Sequence, residues 1–191
     1  MSEAPASNEF EISVFGPGIG ECVLVHLGDG DWIVVDSCVE RKTARPIALE
    51  YLEKIGVDVA SQVRLVIATH WHDDHIRGLS AVLAAAKNAK FVTSAAHSLQ
   101  DLTRLAVLSG DFAPQSSATR EYHNIIQVLL NRRQVGERRD SVGPIKANAN
   151  KKLLTLSGRN RTVDSEVFAL SPSDGVLNLA EAELRNALTA M

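Results

Sequence analysis

The sequence predicts a single-domain α/β fold, and three observations carry that prediction. Short β-branched runs, Trp32 to Val35, Arg64 to Thr69 and Lys90 to Ser94, are separated by two amphipathic stretches of helical length, a β-α-β-α-β alternation. At 191 residues and 45% hydrophobic content, the chain can bury one proper core. No stretch approaches the roughly 20 apolar residues of a membrane-spanning helix, and Met1 to Asn8 is a polar lead without a charged-then-apolar signal pattern. A cytosolic protein is expected. The net charge of −3 points by itself to no class of partner.

Taken in order, the chain opens with Phe10, Ile12 and Val14 alternating with Glu11, Ser13 and Phe15. Gly16-Pro17-Gly18-Ile19-Gly20 breaks the alternation, and Cys22 to Val25 resumes it: strand, tight loop, strand. Glycines let a backbone take positive φ or approach another group closely, so this loop serves an ordinary hairpin or a neighbouring site equally well. Gly28-Asp29-Gly30 turns into Trp32 to Val35, which Asp36 closes. Arg45 to Gly56 reads as a helix with Pro46 in its first turn and Gly56 at its end; Ile47, Tyr51 and Ile55 repeat at four-residue spacing on one face. A second helix is expected over Ile76 to Lys87. Beyond Ser94 the chain turns mostly helical, over Leu99 to Leu108 and Thr119 to Arg133. Strands Lys152 to Leu156 and Glu166 to Leu170 follow, then a last helix from Val176 to Ala190. Cys22 and Cys38 fall in or beside strands and lack metal-type spacing, so they read as small buried hydrophobes before a disulfide or a ligand pair.

The densest chemistry is Thr69-His70-Trp71-His72-Asp73-Asp74-His75, at the end of the apolar run Leu65 to Ala68. A strand end is a firm mount. From it the chain projects His70, His72, Asp74 and His75 within six residues. Imidazole nitrogen and carboxylate oxygen are the donors a borderline cation such as zinc takes, and a catalytic site keeps one coordination position open. The helix that follows presents unpaired N–H groups that favour an anion.

This His-x-His-x-Asp-His heptad resembles the metal-binding loop of the metallo-β-lactamase fold superfamily. The resemblance extends upstream to Glu11 to His26 and Asp31 to Cys38, which look like that fold's opening strands. It implies a metallo-β-lactamase-like αββα sandwich. Against that pattern the chain looks like the N-terminal half plus extra helices: one domain, 1–191, with a metal-loop core over 1–94 and a helical insertion and start of the second half over 95–191. Carried over by position, His70 and His72 would serve one ion, and Asp74 and His75 a second. Zinc is expected, as one or two ions, with Mn2+ or Fe2+ as substitutes. Asp36 would hydrogen-bond into the metal loop and fix its shape, although an Asp there also suits a turn or a helix cap. For further ligands the later chain offers His97 first, then Asp111 and His123, at spacings compressed relative to the family. The run Leu170-Ser171-Pro172-Ser173 resembles the segment before the second half of the fold in the DNA-uptake competence-protein branch.

Arg132 to Arg161 is the one strongly charged region, nine cations against Glu137 and Asp140, a local net of +7 that leaves −10 for the rest. Such a patch suits nucleic acid or a phosphate ester; without interleaved aromatics it reads equally as a solvated loop. Two classes of function therefore stand. One is a metal-dependent hydrolase using a zinc-activated water on a phosphodiester or nucleic acid, with Asp74 also orienting the nucleophile. The other is a non-catalytic or incomplete module that binds metal or a partner and needs another chain or a missing C-terminal half. A half-sandwich would leave an apolar sheet face uncovered, so a homodimer or a completing partner protein is also expected.

Overall fold

In the computed structural model, which describes residues 3–16, 18, 20–95, 117–134, 143–179 and 182, the β-branched runs assemble into one six-stranded sheet. Its strands are β1 (Glu11–Phe15), β2 (Cys22–His26), β3 (Trp32–Val35), β4 (Val63–Ala68), β5 (Lys90–Ser94) and β6 (Ile145–Ala147), side by side in chain order. The first three are antiparallel, as their short glycine-containing connections demand. From β3 to β6 the pairing is parallel, which requires longer crossovers. Helices α1 (Ile47–Lys54) and α2 (Val59–Gln62) fill the first crossover, and α3 (Asp73–Ile76) and α4 (Leu79–Ala85) the second. A long helix, α5 (Ser117–Gln134), precedes β6.

Side chains alternate across a strand, so the sheet has two apolar faces. Leu24, Trp32, Val34, Val66 and Phe91 pack with Leu52, Leu79, Leu83 and Ile125 of the helices in one core cluster. Ile33, Leu65 and Val92, on the other face, pack with Leu153 and Ala169 of a separate antiparallel hairpin, β7 (Lys151–Leu156) with β8 (Ser165–Ala169). The result is helices, sheet, hairpin in layers, the α/β architecture the alternation predicts. One end of the hairpin is tied down by charge. Buried Asp31, just before β3, takes the guanidinium groups of Arg64 and Arg161, and Asp29 accepts from the Thr162 backbone N–H at 2.9 Å.

Strands β3 and β5 match their sequence expectations residue for residue, and the other expected strands differ by a residue or so at their ends. The helix expected over Ile76 to Lys87 is instead two pieces. Gly78 adopts φ +83°, and a Cβ there would lie 2.9 Å from a Val39 methyl, so the chain turns at Gly78 and α3 starts inside the histidine loop. Strand β6 and helix α2 were not legible as elements, because three or four residues carry too little periodicity. The stretch Leu99 to Leu108 lies outside the described residues, as does most of the helix expected after Val176.

The basic region is not one surface. Arg132 is buried, and its guanidinium donates to the carbonyls of Leu83 (2.5 Å), Ala86 (2.7 Å) and Ala89 (2.8 Å), capping the C-terminal end of α4. Arg161 is spent on Asp31 and Asp29, and Lys152 pairs with Glu166. Arg138 and Arg139 lie outside the described residues.

Candidate metal centre

Parallel pairing of β3 with β4 brings Asp36, which ends β3, beside the loop that leaves β4. Asp36 sits at φ +57°, a left-handed conformation uncommon outside glycine but tolerated best by Asp and Asn. Its N–H donates to Ile67 O at 2.8 Å, and the next N–H, of Ser37, donates to His75 O at 2.7 Å, so the backbone is held on both sides of the bend. The carboxylate then faces the loop. Oδ1 accepts from the Thr69 N–H at 2.8 Å, and Oδ2 accepts from the Thr69 hydroxyl at 2.5 Å and lies 2.9 Å from Nδ1 of His75. A carboxylate can only accept, so in the neutral ring Nδ1 carries the proton and Nε2 of His75 keeps a lone pair for a ligand.

The other expected ligands gather on the same loop. The rings of His70 and His72 pack edge to face with centroids 4.2 Å apart, and His70 and His75 are 5.7 Å apart. Asp74 Oδ2 lies 3.7 Å from Nε2 of His75. Residue His72 is the N-terminal flank of α3, yet its side chain makes no capping bond. Burial, reinforced by the nearby His72 and His75, holds the His70 imidazole below its ordinary pKa, which keeps it neutral as a metal ligand must be. Burial pulls His75 the same way, but the hydrogen bond and charge of Asp36, with Asp74 and Glu21, outweigh it and raise its pKa.

One neighbour was not anticipated. The glycine-rich loop after β1 lies directly against the histidine loop: the Glu21 N–H donates to Asp74 O at 3.0 Å. At Gly20, φ +92°, a Cβ would come within 2.8 Å of that same oxygen, so this approach requires glycine. The loop therefore closes the β1–β2 hairpin and also lies against the histidine loop. Glu21 brings its carboxylate to 3.7 Å from His75 Nδ1, and Glu21, Asp36 and His75 each offer a ligand-type atom within 4.8 Å of the others. Of these, Asp36 already accepts three bonds, so the geometry favours Nε2 of His75, turned toward Asp74, over Asp36 as a direct donor. The only local signal for Glu21 was its place at the end of a glycine run.

Imidazoles and carboxylates are the donor types a borderline divalent cation takes, and among the described residues Glu21, Asp36 and His75 are the set of three whose ligand-type atoms already lie within 4.8 Å of one another. His97 and Asp111 lie outside the described residues. His123 is exposed on α5, the polar side its pattern assigned it. Both cysteines are free and buried, and burial pushes their thiols up, so they stay protonated packing groups.

A layered α/β fold that mounts a His/Asp loop at the C-terminal end of a parallel strand, stapled by an Asp from the adjacent strand, defines a class of metal-binding proteins. The metallo-beta-lactamase superfamily model matches residues 15–154, more than half of the chain, and the chain belongs to that superfamily. Its members generally bind divalent metals, often zinc. No curated protein shows significant similarity to the chain.

Proposed function

We propose that this chain is a metal-dependent hydrolase acting through His70, His72, Asp74 and His75. The observation that carries the reading is the Asp36 carboxylate, buried beneath the loop, which bonds both the loop's first residue, Thr69, and its last ligand, His75. A loop with no task beyond turning the chain needs no such fixed tautomer. A divalent ion, Zn2+ or in its place Mn2+ or Fe2+, would polarise the oxygen under attack and acidify a water. The chain's own contribution is placement. Half-buried His70 and His75 shield one side, while Asp74, more exposed and next to His75, stands where it can accept a proton from a water and aim it.

The electrophile is a phosphoryl or carbonyl centre. A nucleic-acid substrate, as the competence-protein branch would imply, has lost Arg132, Arg161 and Lys152 from its basic patch and, among the described side chains, rests on exposed Lys146 and Arg159 together with Lys151. Among the described residues no helix is long and apolar enough to cross a membrane, and we place the activity in the cytoplasm. The test is metal content of the purified chain by mass spectrometry, beside turnover of bis(p-nitrophenyl) phosphate and p-nitrophenyl acetate with and without chelator. Bound metal with chelator-sensitive turnover of either compound is expected. No bound metal, in the wild type or after loading with Zn2+, would leave the alternative of a non-catalytic binding module.

A further inference from the structure

Between the main sheet and the β7–β8 hairpin lies a cleft of about 690 Å³, within the range that holds a drug-sized ligand. One wall is the sheet, where Val25 pairs with Ile33 and Val35 with Ile67, and the other includes Val167 and Leu170. Its polar lining is unevenly placed. Thr69 and His70 stand at the C-terminal end of β4 and Ser94 at the C-terminal end of β5, so three of the polar groups meet at the edge that carries the histidine loop. Of the other two, Glu166 is paired with Lys152, and Ser171 follows the C-terminal end of β8. Among the described residues no Lys or Arg lines the cleft, so none of them offers counter-charge there to the phosphates of a nucleic acid.

The walls are held apart rather than free to collapse. At the edge away from the metal loop, Arg161 is bound to Asp31 and the Ser165 hydroxyl donates to Leu27 O at 2.8 Å. At the near edge, the backbone N–H groups of Ala149 and Asn150 donate to Pro172 O and Ala169 O, each at 2.8 Å. The cleft is thus preformed, apolar along its body, and polar where it reaches His70.

We propose that this cleft seats the apolar part of the substrate, which is then an amphiphile: an acyl ester whose alkyl chain lies between sheet and hairpin and whose carbonyl stands at Thr69 and His70. The proposal rests on the hydrolase reading above and narrows its electrophile to an acyl carbon. Hydrolysis adds the hydroxyl of water to that carbon and its proton to the departing alkoxide, yielding acid and alcohol with no further reactant. Burial of the alkyl chain supplies affinity, and the fixed walls spare the entropy of ordering the site.

The experiment is calorimetric titration of the full chain with dodecanoate, the product-like probe, alongside metal content. Saturable binding of one dodecanoate per chain is expected, weakened about tenfold or more by Leu170→Asp and by Ile67→Trp. Leu170 is 84% exposed, so its variant folds even if the bulky Trp at position 67 does not. Absent or non-saturable binding, or variants that bind like the wild type, would overturn the proposal while bound metal kept the hydrolase reading. So would a dimer in sedimentation that ignores dodecanoate and falls apart on Leu170→Asp, since a second copy would then fill the cleft. Saturable binding lost in the variants, in a chain that takes up no metal, would keep the apolar site and remove the hydrolase.

Discussion

Asp36 Oδ2 lies 2.9 Å from Nδ1 of His75, and the other oxygen of the same carboxylate takes the Thr69 N–H at 2.8 Å. One side chain from the end of β3 therefore sets both the start of the histidine loop and the tautomer of its last histidine. Much of the candidate site's rigidity follows from this.

Replacing Asp36 tests that relationship most directly. Asp36→Asn keeps a residue that tolerates the left-handed backbone at φ +57° but withdraws the charge that holds the proton on Nδ1. Zinc affinity should fall by roughly 10–100-fold, the usual cost of losing such a partner, with the protein still folded by circular dichroism. Calorimetric zinc affinity equal to that of the wild type would remove Asp36 from the site.

Gly20→Ala should damage the same site from the opposite side. A methyl group at Gly20 would sit 2.8 Å from Asp74 O, at a φ of +92° that alanine rarely adopts. Relief requires the glycine loop to move away from the metal loop, at a stability cost of about 1–3 kcal/mol. Both a lower unfolding midpoint and weaker metal binding are expected. Gly143→Ala is the control, since no described residue lies within 4 Å of its added carbon.

Arg132 and Lys146 should separate by function although both belong to the basic region. Arg132→Met removes the guanidinium donor from the carbonyls of Leu83, Ala86 and Ala89 and should destabilise the fold by about 1–3 kcal/mol, read in denaturant melts. Lys146→Met is exposed and should leave stability within about 0.5 kcal/mol. If the protein binds a polyanion, only the lysine change should reduce the salt dependence of that binding.

Acid should loosen the hairpin's anchor in a predictable direction. The hydrogen bonding of Thr162, joined by Val163 and the charge of Arg161, holds Asp29 below its ordinary 3.8. A carboxylate depressed on folding adds stability above its unfolded pKa, and that contribution is lost as pH falls through the folded value. The stability difference between wild type and Asp29→Asn should therefore be full at neutral pH and shrink steadily below about pH 4. A difference that stayed constant down to pH 2 would show that Asp29 contributes nothing through its charge.

The elements and the loop's chemistry were determined locally, and so they could be read from the chain. β-branched runs of five or six residues such as Lys90 to Ser94 carry a period that only a strand satisfies, and His70, His72, Asp74 and His75 are close in space because they are close in sequence. What surrounds the loop was decided by tertiary structure. Asp36 reaches His75 across 39 positions, which depends on the parallel register of β3 and β4. Gly20 and Glu21 meet Asp74 only because the sheet brings the loop after β1 beside the one after β4. Arg132 looked like one cation of a basic run, yet packing of α5 on α4 carried it into the core, where the carbonyls of Leu83, Ala86 and Ala89 take its charge. A sequence pattern encodes what a residue does to its chain neighbours; a contact across the sheet depends on register and loop closure, which no local pattern records.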